Sequence, residues 1–513
     1  MKFLLNISKY IYPIGLALLA LLVYVYIFNP KIDINGDNCY YYILASSLVE
    51  GDGFSNIMGE PTAVFPPGYP LLMAPLRAVT DSVIAQKVLN LLFLFVGVLL
   101  LYKLLLCEGV KRQLAFIVGA GVLVTPHILE FSTMMMSEPS CIFFILLSLL
   151  AFYYVVSGSD EKSIPWRMPW LYIFLFATVY TFFIRTQAVV LFVAFFVALL
   201  ATRRFKMSLL LLVSFFACYL PWFARNYFMG LGQSRYISQI DFSNIWGNML
   251  MLVVQALPES CLPFLPVNYQ ASPTLLLYII ATVMFVLVLF GFWQMKRIRL
   301  VLIMLLLGNI AIVSIMNTPS SYRYMIIVLP VVTAGFIVGV WKLFDVLTNR
   351  ILHRSFSSWF MLLLFVPMLL SINNKTKHTI YGLHEMSGKD YADNMKAFLL
   401  VGEAASKYPD ANVVCSRKPE LLFVHSGVRG VRYKELFTDV EILKAFIDDD
   451  IDYLLLENMG FEYSYEILSP FLLQHKDIFE PVTYTLTPIT ILFRFNKKLA
   501  REFVAQRSGG MGS

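Results

Sequence analysis

The feature that most constrains this chain is a train of long apolar runs separated by short charged connections. Runs near or beyond membrane-crossing length lie at about 10–28, 84–106, 114–130, 138–156, 169–184, 186–202, 207–223, 274–294, 299–316, 325–343 and 356–372. A bilayer core is spanned by roughly 20 apolar residues in a helix, because each residue rises about 1.5 Å. The expectation is a polytopic α-helical membrane protein with about eleven transmembrane helices. The stretch 169–202 divides only at Arg185, where a tight turn is expected. Composition excludes an aqueous enzyme: 14% of residues are charged and mean hydropathy is +0.71, where soluble domains carry about 25% charged residues. The first run follows Lys2 and Lys9, lacks a small-residue cleavage site and continues into Asn29-Pro30-Lys31, so it reads as a retained anchor.

The connections alternate in charge. With the N-terminus inside, the inner ones hold Lys111 and Arg112; Lys162 and Arg167; Arg203, Arg204 and Lys206; Lys296, Arg297 and Arg299; and Lys342, Arg350 and Arg354. The outer ones hold Asp33, Asp37, Glu50, Asp52, Glu60, Asp81, Asp241 and Glu259. That is the positive-inside bias, and an odd number of spans puts everything after Asn373 outside. The net charge of +7 is spent in these clusters, so no nucleic-acid partner is indicated.

Composition changes at about Asn373. Residues 1–372 are expected to form the transmembrane domain, with long outer loops at 29–83 and 224–273. Residues 373–507 are expected to form a small extracytoplasmic α/β domain, with 508–513 a flexible tail. Within it, 412–415, 421–424, 451–456 and 489–495 read as strands, and 439–447 and 465–474 as amphipathic helices. Six scattered cysteines form no CxxC pair or Cys/His cluster, so no structural zinc site is expected; Cys39 and Cys261, both in outer loops, could pair or stay free.

The residues best suited to chemistry sit in the first outer loop, which reads Asp33-Ile-Asn-Gly-Asp37-Asn-Cys-Tyr40-Tyr41-Tyr42, then Gly51-Asp-Gly-Phe54, then Phe65-Pro66-Pro67-Gly68-Tyr69-Pro70. Asp37 opens a short helix, where free backbone N–H groups stabilise an anion. Such a carboxylate can take a proton from an alcohol under alkylation, as a general base, or it can simply cap the helix. Glu138 opens an apolar run, where an ionisable group is expensive and suspected of function; it could instead reach water or pair with Arg185. Arg225 and Arg323 stand at outer helix ends, and a guanidinium fork suits phosphate oxygens; either could instead pair with Asp241 or Glu259. The tyrosines could stack on a sugar ring or form an interfacial belt. His127 receives no catalytic role.

This pattern, Gly-Asp-x-x-x-Tyr-Tyr, Gly-x-Gly-Phe and Pro-Pro-Gly-Tyr-Pro, resembles the first extracytoplasmic loop of the GT-C superfamily of glycosyltransferases. The similarity is greatest to the bacterial branch with protein O-mannosyltransferases and lipid A aminoarabinose transferases. Met136-Ser137-Glu138-Pro139, Pro221-Trp222-Phe-Ala-Arg225-Asn226 and Tyr322-Arg323-Tyr324 with Pro330 resemble further segments of that family, in the same order. Two departures stand out: Phe65, rather than a lysine, precedes Pro66-Pro67, and no Asp-x-Asp stands beside the first helix, so a divalent metal or other cofactor is not indicated. Arg417-Lys418-Pro419 also resembles a recurrent segment of bacterial members and is either a phosphate or acceptor contact or a solvated loop.

The resemblance implies a multi-pass enzyme of the bacterial cytoplasmic membrane. It would move a sugar, with inversion, from a polyprenyl-phosphate donor to an acceptor hydroxyl on protein, lipid or glycan. Asp37 would be the base, Glu138 a second catalytic carboxylate, and Arg225 and Arg323 the donor-phosphate ligands. Tyr40, Tyr41, Tyr69 and Tyr322 would bind substrate. The rival class is a transporter or flippase of lipid-linked sugars, which calls for repeated or broken helices with charges near the bilayer midplane.

Overall fold

A computed structural model describes residues 2–33, 36–159, 164–231, 239–262, 272–316, 322–366, 380–434, 436, 438–459 and 464–509. The chain divides into two compact units, Met1–Lys31 with Thr62–Gly388, and Ile32–Pro61 with Lys389–Ser513. The expected boundary near Asn373 lies outside the described residues. The loop 29–83 is shared: its first half, 32–61, clusters with the C-terminal unit. The physical reason lies in the packing of helix Gly36–Glu50, described below.

The first unit is helical, as a chain must be where lipid cannot satisfy backbone polar groups. Among the described residues, six helices are long and apolar enough to cross a membrane: Tyr10–Ile27, Val83–Cys107, Glu138–Gly158, Phe205–Phe228, Leu275–Gln294 and Leu329–Ile351. Arg112–Leu123 and Pro126–Ser132 form one further pair bent by 58°. The bend falls where Pro126 lacks an N–H and biases Thr125 away from helical geometry. Shorter apolar helices occupy Pro169–Ile184, Thr186–Ala201 and Arg299–Ser314. The chain is thus a multi-pass membrane protein. Of the run expected at 356–372, Ser358–Phe365 is a 3-10 helix, and 367–379 lie outside the described residues.

Helices Leu275–Gln294 and Leu329–Leu352 pack closely against each other. Gly335 and Gly339, four residues apart, bring the backbones together: a Cβ on Gly339 would lie 2.0 Å from the Leu287 carbonyl oxygen, and one on Gly291 1.8 Å from that of Gly335. Small residues at this spacing let helices approach until backbone atoms touch, which is how helices associate where lipid removes the hydrophobic drive.

The second unit carries a five-stranded sheet, with β1 Val414–Ser416, β2 Gly430–Arg432, β3 Tyr453–Leu456, β4 Phe479–Leu486 and β5 Ile489–Phe495 in the order β2-β1-β3-β5-β4. β1 runs parallel to both β2 and β3, while β5 is antiparallel to β3 and β4. β3 is buried on both faces, which explains its unbroken Tyr-Leu-Leu-Leu run. Tyr453 and Leu455 face a cluster with Met395, Phe398, Leu421, Leu422 and Cys39; Leu454 and Leu456 face one with Ile442, Phe446, Leu468 and Phe471. Cys39 thereby anchors helix Gly36–Glu50 to the first face of the sheet, and that helix also packs on Pro419–Ser426.

One element is corrected. The strand expected at 421–424 is helix Pro419–Ser426: Pro419 and Glu420 suit a first helical turn, and Gly427 ends it at φ 73°. Its short apolar run, buried against the sheet, is one that periodicity cannot separate from a strand. Helix Asp439–Asp448 starts as a capping box, with Thr438 Oγ1 accepting from the Glu441 N–H. Helix Lys497–Gly509 runs into the segment expected to be a flexible tail, of which 510–513 lie outside the described residues.

Candidate active site

In the first unit, the site is organised by the residues leading into helix Glu138–Gly158. Asn90, buried, donates to the carbonyls of Met134 at 2.6 Å and Met136 at 2.9 Å, so the chain before Glu138 is fixed from the neighbouring helix. Tyr69 in turn donates to Asn90 Oδ1 at 3.0 Å. Gly68 explains the Pro-Pro-Gly-Tyr sequence: its Cα lies so close to the Phe183–Ile184 backbone that a Cβ would sit 2.6 Å from the Phe183 carbonyl, and its own carbonyl accepts from Tyr180 at 2.8 Å.

Glu138 is only 1% exposed. It does not reach water; its Oε1 receives Arg185 Nη1 at 2.8 Å and Arg323 Nε at 3.1 Å. Burial of a carboxylate is tolerable here because two guanidiniums surround it. Arg185 occupies the extended break between helices Pro169–Ile184 and Val189–Ala201 and also donates to Ser137 Oγ at 3.1 Å. Arg323 sits in the 3-10 turn Tyr322–Met325, with its guanidinium 5.4 Å from the Phe131 ring centre. An amide clamp holds that turn: Gln187 Nε2 donates to Tyr324 O at 2.9 Å and Asn309 Nδ2 to the same carbonyl at 3.2 Å.

Beside it opens a cavity of about 600 Å³ with walls of Phe65, Phe182, Phe183, Tyr219, Trp222 and Tyr227, among others, and polar points at Arg185, Gln187 and Asn226. A space of this composition accepts an apolar chain and offers its polar end a cation.

The structure thus joins Glu138 to Arg323, and to Arg185, the pairing weighed for Glu138 in the sequence. Arg323 meets Glu138. Arg225 closes the helix Phe205–Phe228, donates to Thr62 O at 3.1 Å and Asn226 Oδ1 at 2.7 Å, and lies over the Trp222 ring. Tyr69 is wholly buried with its hydroxyl committed to Asn90, a post that supports the loop rather than an open stacking face. The Tyr322 side chain lies outside the described residues. Asp37 and Tyr40 are half-buried and Tyr41 is buried, all three on helix Gly36–Glu50 of the second unit.

Sequence reasoning missed Lys87, Asn90, Gln187 and Asn309. Lys87 is 0% exposed and donates to the carbonyls of Asn29 and Lys31. The available signal was a polar residue inside an apolar run, which membrane segments rarely tolerate without purpose. None of the six cysteines is joined in a disulfide.

No protein-family model matches the chain, and no curated protein matches it in sequence. Solved structures do. ArnT from Cupriavidus metallidurans, bound to undecaprenyl phosphate, superposes with a TM-score of 0.58 at 12% identity, over 94% of this chain and 97% of that one. The archaeal oligosaccharyltransferase AglB from Archaeoglobus fulgidus, in complex with an inhibitory peptide and a dolichol-phosphate, gives 0.54 at 13% identity, over 95% and 75%. The GT-C-like architecture with a C-terminal sheet-bearing domain, implied by the motifs, is the fold the chain has.

Proposed function

We propose that this chain is a membrane glycosyltransferase that moves a sugar from a polyprenyl-phosphate donor to an acceptor hydroxyl on protein, lipid or glycan. The observation that carries the reading is the apolar cavity with Arg185 in its wall, where Arg185 and Arg323 are gathered on Glu138. An isoprenoid tail fits the apolar walls, and a phosphate fits the guanidiniums. The shared fold with proteins seen holding dolichol-phosphate and undecaprenyl phosphate supports the same assignment.

In the proposed reaction the acceptor oxygen attacks the anomeric carbon as the bond to the lipid phosphate breaks, with inversion. An aliphatic hydroxyl is too weak an acid to ionise first, so its proton passes to Asp37 in concert with attack. Arg225 and Arg323 stabilise the charge that develops on the departing phosphate. Glu138 fixes the guanidiniums of Arg185 and Arg323 so that they need not reorganise during the reaction. Tyr40 and Tyr322 remain the proposed sugar contacts, while Tyr41 and Tyr69, both buried, support the elements that carry them. No cofactor is invoked. The proposed setting is the bacterial cytoplasmic membrane, with the N-terminus inside and the C-terminal domain outside.

The bent pair Arg112–Leu123 and Pro126–Ser132 favours a second reading, a transporter of lipid-linked sugars, since broken helices are frequent in such proteins. One assay separates the two. Purified protein and Asp37→Asn are given a panel of labelled polyprenyl-phosphate sugars with membrane extract as acceptor and chelator present. Release of free polyprenyl phosphate by the wild type that falls by about 10²-fold or more in the variant supports transfer. No release from any donor by folded protein would move transport to the front.

A further inference from the structure

Helix Phe205–Phe228 presents Tyr219, Trp222, Phe223, Asn226 and Tyr227 to the cavity of the first unit. Their spacing of three and four residues puts all five on one face of the helix. Four are aromatic, so Asn226 is the amide set into an aromatic wall. A polar group in such a wall is costly unless something engages it.

Arg225 decides which way that amide is turned. Its Nη1 donates to Asn226 Oδ1 at 2.7 Å. A guanidinium can only donate, so the amide atom it meets is the carbonyl oxygen, and the NH2 group takes the other side. Asn226 Nδ2 meets no acceptor among the described residues, and the residue is half-buried rather than sealed in the wall. The cation bound at Oδ1 also polarises the amide, which makes Nδ2 a stronger donor. The same guanidinium donates to Thr62 O at 3.1 Å and lies 4.8 Å from the Trp222 ring centre. Thr62 leads directly into Ala63, Val64, Phe65 and Pro66, a second wall of the cavity. Arg225 thus ties two walls together, while it is not itself among the residues that line the space.

We propose that Asn226 Nδ2 is the hydrogen-bond donor that receives the phosphate of the lipid substrate in this cavity, and that Arg225 is a positioning residue that acts through it. The proposal rests on the glycosyltransfer reading, in which a polyprenyl phosphate fills the cavity. A donor backed by a cation gains most from an anionic acceptor, so the contact selects for the phosphate head rather than for the tail. As the bond to the sugar breaks, negative charge grows on the phosphate, and the Asn226 contact strengthens with it. Arg225 would stabilise that charge through the amide it holds.

The test uses the full chain in detergent micelles and measures two affinities by native mass spectrometry. One ligand is undecaprenyl phosphate; the other is undecaprenol, which has the same tail and no phosphate. Asn226→Asp keeps the shape and the bond from Arg225 but puts a carboxylate oxygen where the NH2 stood. It should weaken undecaprenyl phosphate about 30-fold or more, within the range for one lost charge-assisted hydrogen bond, and leave undecaprenol within about threefold of wild type. Asn226→Ala should weaken the phosphate lipid about tenfold with the same selectivity. Arg225→Gln should weaken it in the wild-type background but by less than about threefold in Asn226→Ala, because its effect passes through the amide. Undecaprenyl phosphate held as tightly by Asn226→Asp as by wild type overturns the proposal. So do equal losses of both lipids, the mark of a structural effect, and additive losses from Arg225→Gln and Asn226→Ala. Wild type that binds neither lipid overturns the glycosyltransfer reading together with the proposal. Selective loss in Asn226→Asp, with no undecaprenyl phosphate released from any sugar donor by the wild type, keeps the contact and removes only the transferase.

Discussion

Neutralising Glu138 is the sharpest perturbation of the buried node. Glu138→Gln keeps shape and one hydrogen-bond acceptor but removes the negative charge that Arg185 and Arg323 share. At an effective dielectric of about 20, a unit pair with charge centres about 4 Å apart interacts by about 4 kcal/mol. Removing one partner of a buried pair costs about 3–5 kcal/mol, because the remaining charge stays desolvated. Arg323 is 27% exposed and Arg185 11%, so Arg323→Gln, which leaves the Arg185–Glu138 pair intact, should cost only about 1 kcal/mol. The double variant Glu138→Gln/Arg323→Gln should recover about 1–2 kcal/mol relative to Glu138→Gln alone, since one of the two cations that Glu138 balanced is gone. Equilibrium unfolding in mixed micelles of rising SDS fraction measures all three against wild type. Stability of Glu138→Gln within about 0.5 kcal/mol of wild type, or a double variant worse than the sum of the singles, would refute the argument.

The remaining predictions concern packing and pH. Gly339→Ala should destabilise by about 2 kcal/mol or more in the same assay, because the new Cβ meets the Leu287 backbone. Gly388→Ala, with nothing within 4 Å of its Cβ, should be neutral or slightly stabilising and serves as control. Burial raises the Glu457 carboxyl above the ordinary glutamate range. The native state therefore holds its proton longer than the unfolded chain, and that contribution is present at pH 4 and lost as pH rises through the raised value. Glu457→Gln should accordingly match wild type near pH 4 and exceed it at pH 7; equal pH dependence of the two would contradict the assignment.

How much could be read from the chain differs by level. Strand β5, at Ile489–Phe495, and the helix starting at Asp439 were legible because turn residues, a capping box and apolar periodicity are local signals. β2, three residues long and only partly buried, offered no such signal and exists because β1 pairs with it. The Gly335/Gly339 spacing was present in the sequence, but its use depends on Gly291 arriving from another helix. At the site, the acidic and basic residues were identifiable as costly in an apolar setting; Gln187 and Asn309 were visible only as polar residues in apolar runs, and their shared partner, the Tyr324 carbonyl, came from the fold.

Sequence alone determined the membrane character and helical segments of this protein, because hydropathy and backbone hydrogen bonding within a helix depend only on neighbours along the chain. It also supplied the charged residues at the helix ends. The tertiary structure decided their partners: Glu138 meets an arginine 185 residues away, and the helix that carries Asp37 belongs with the sheet through Cys39, not with the apolar helices on either side of it. Such choices turn on which surfaces pack together, and a desolvated charge can be satisfied only by whatever that packing brings within reach.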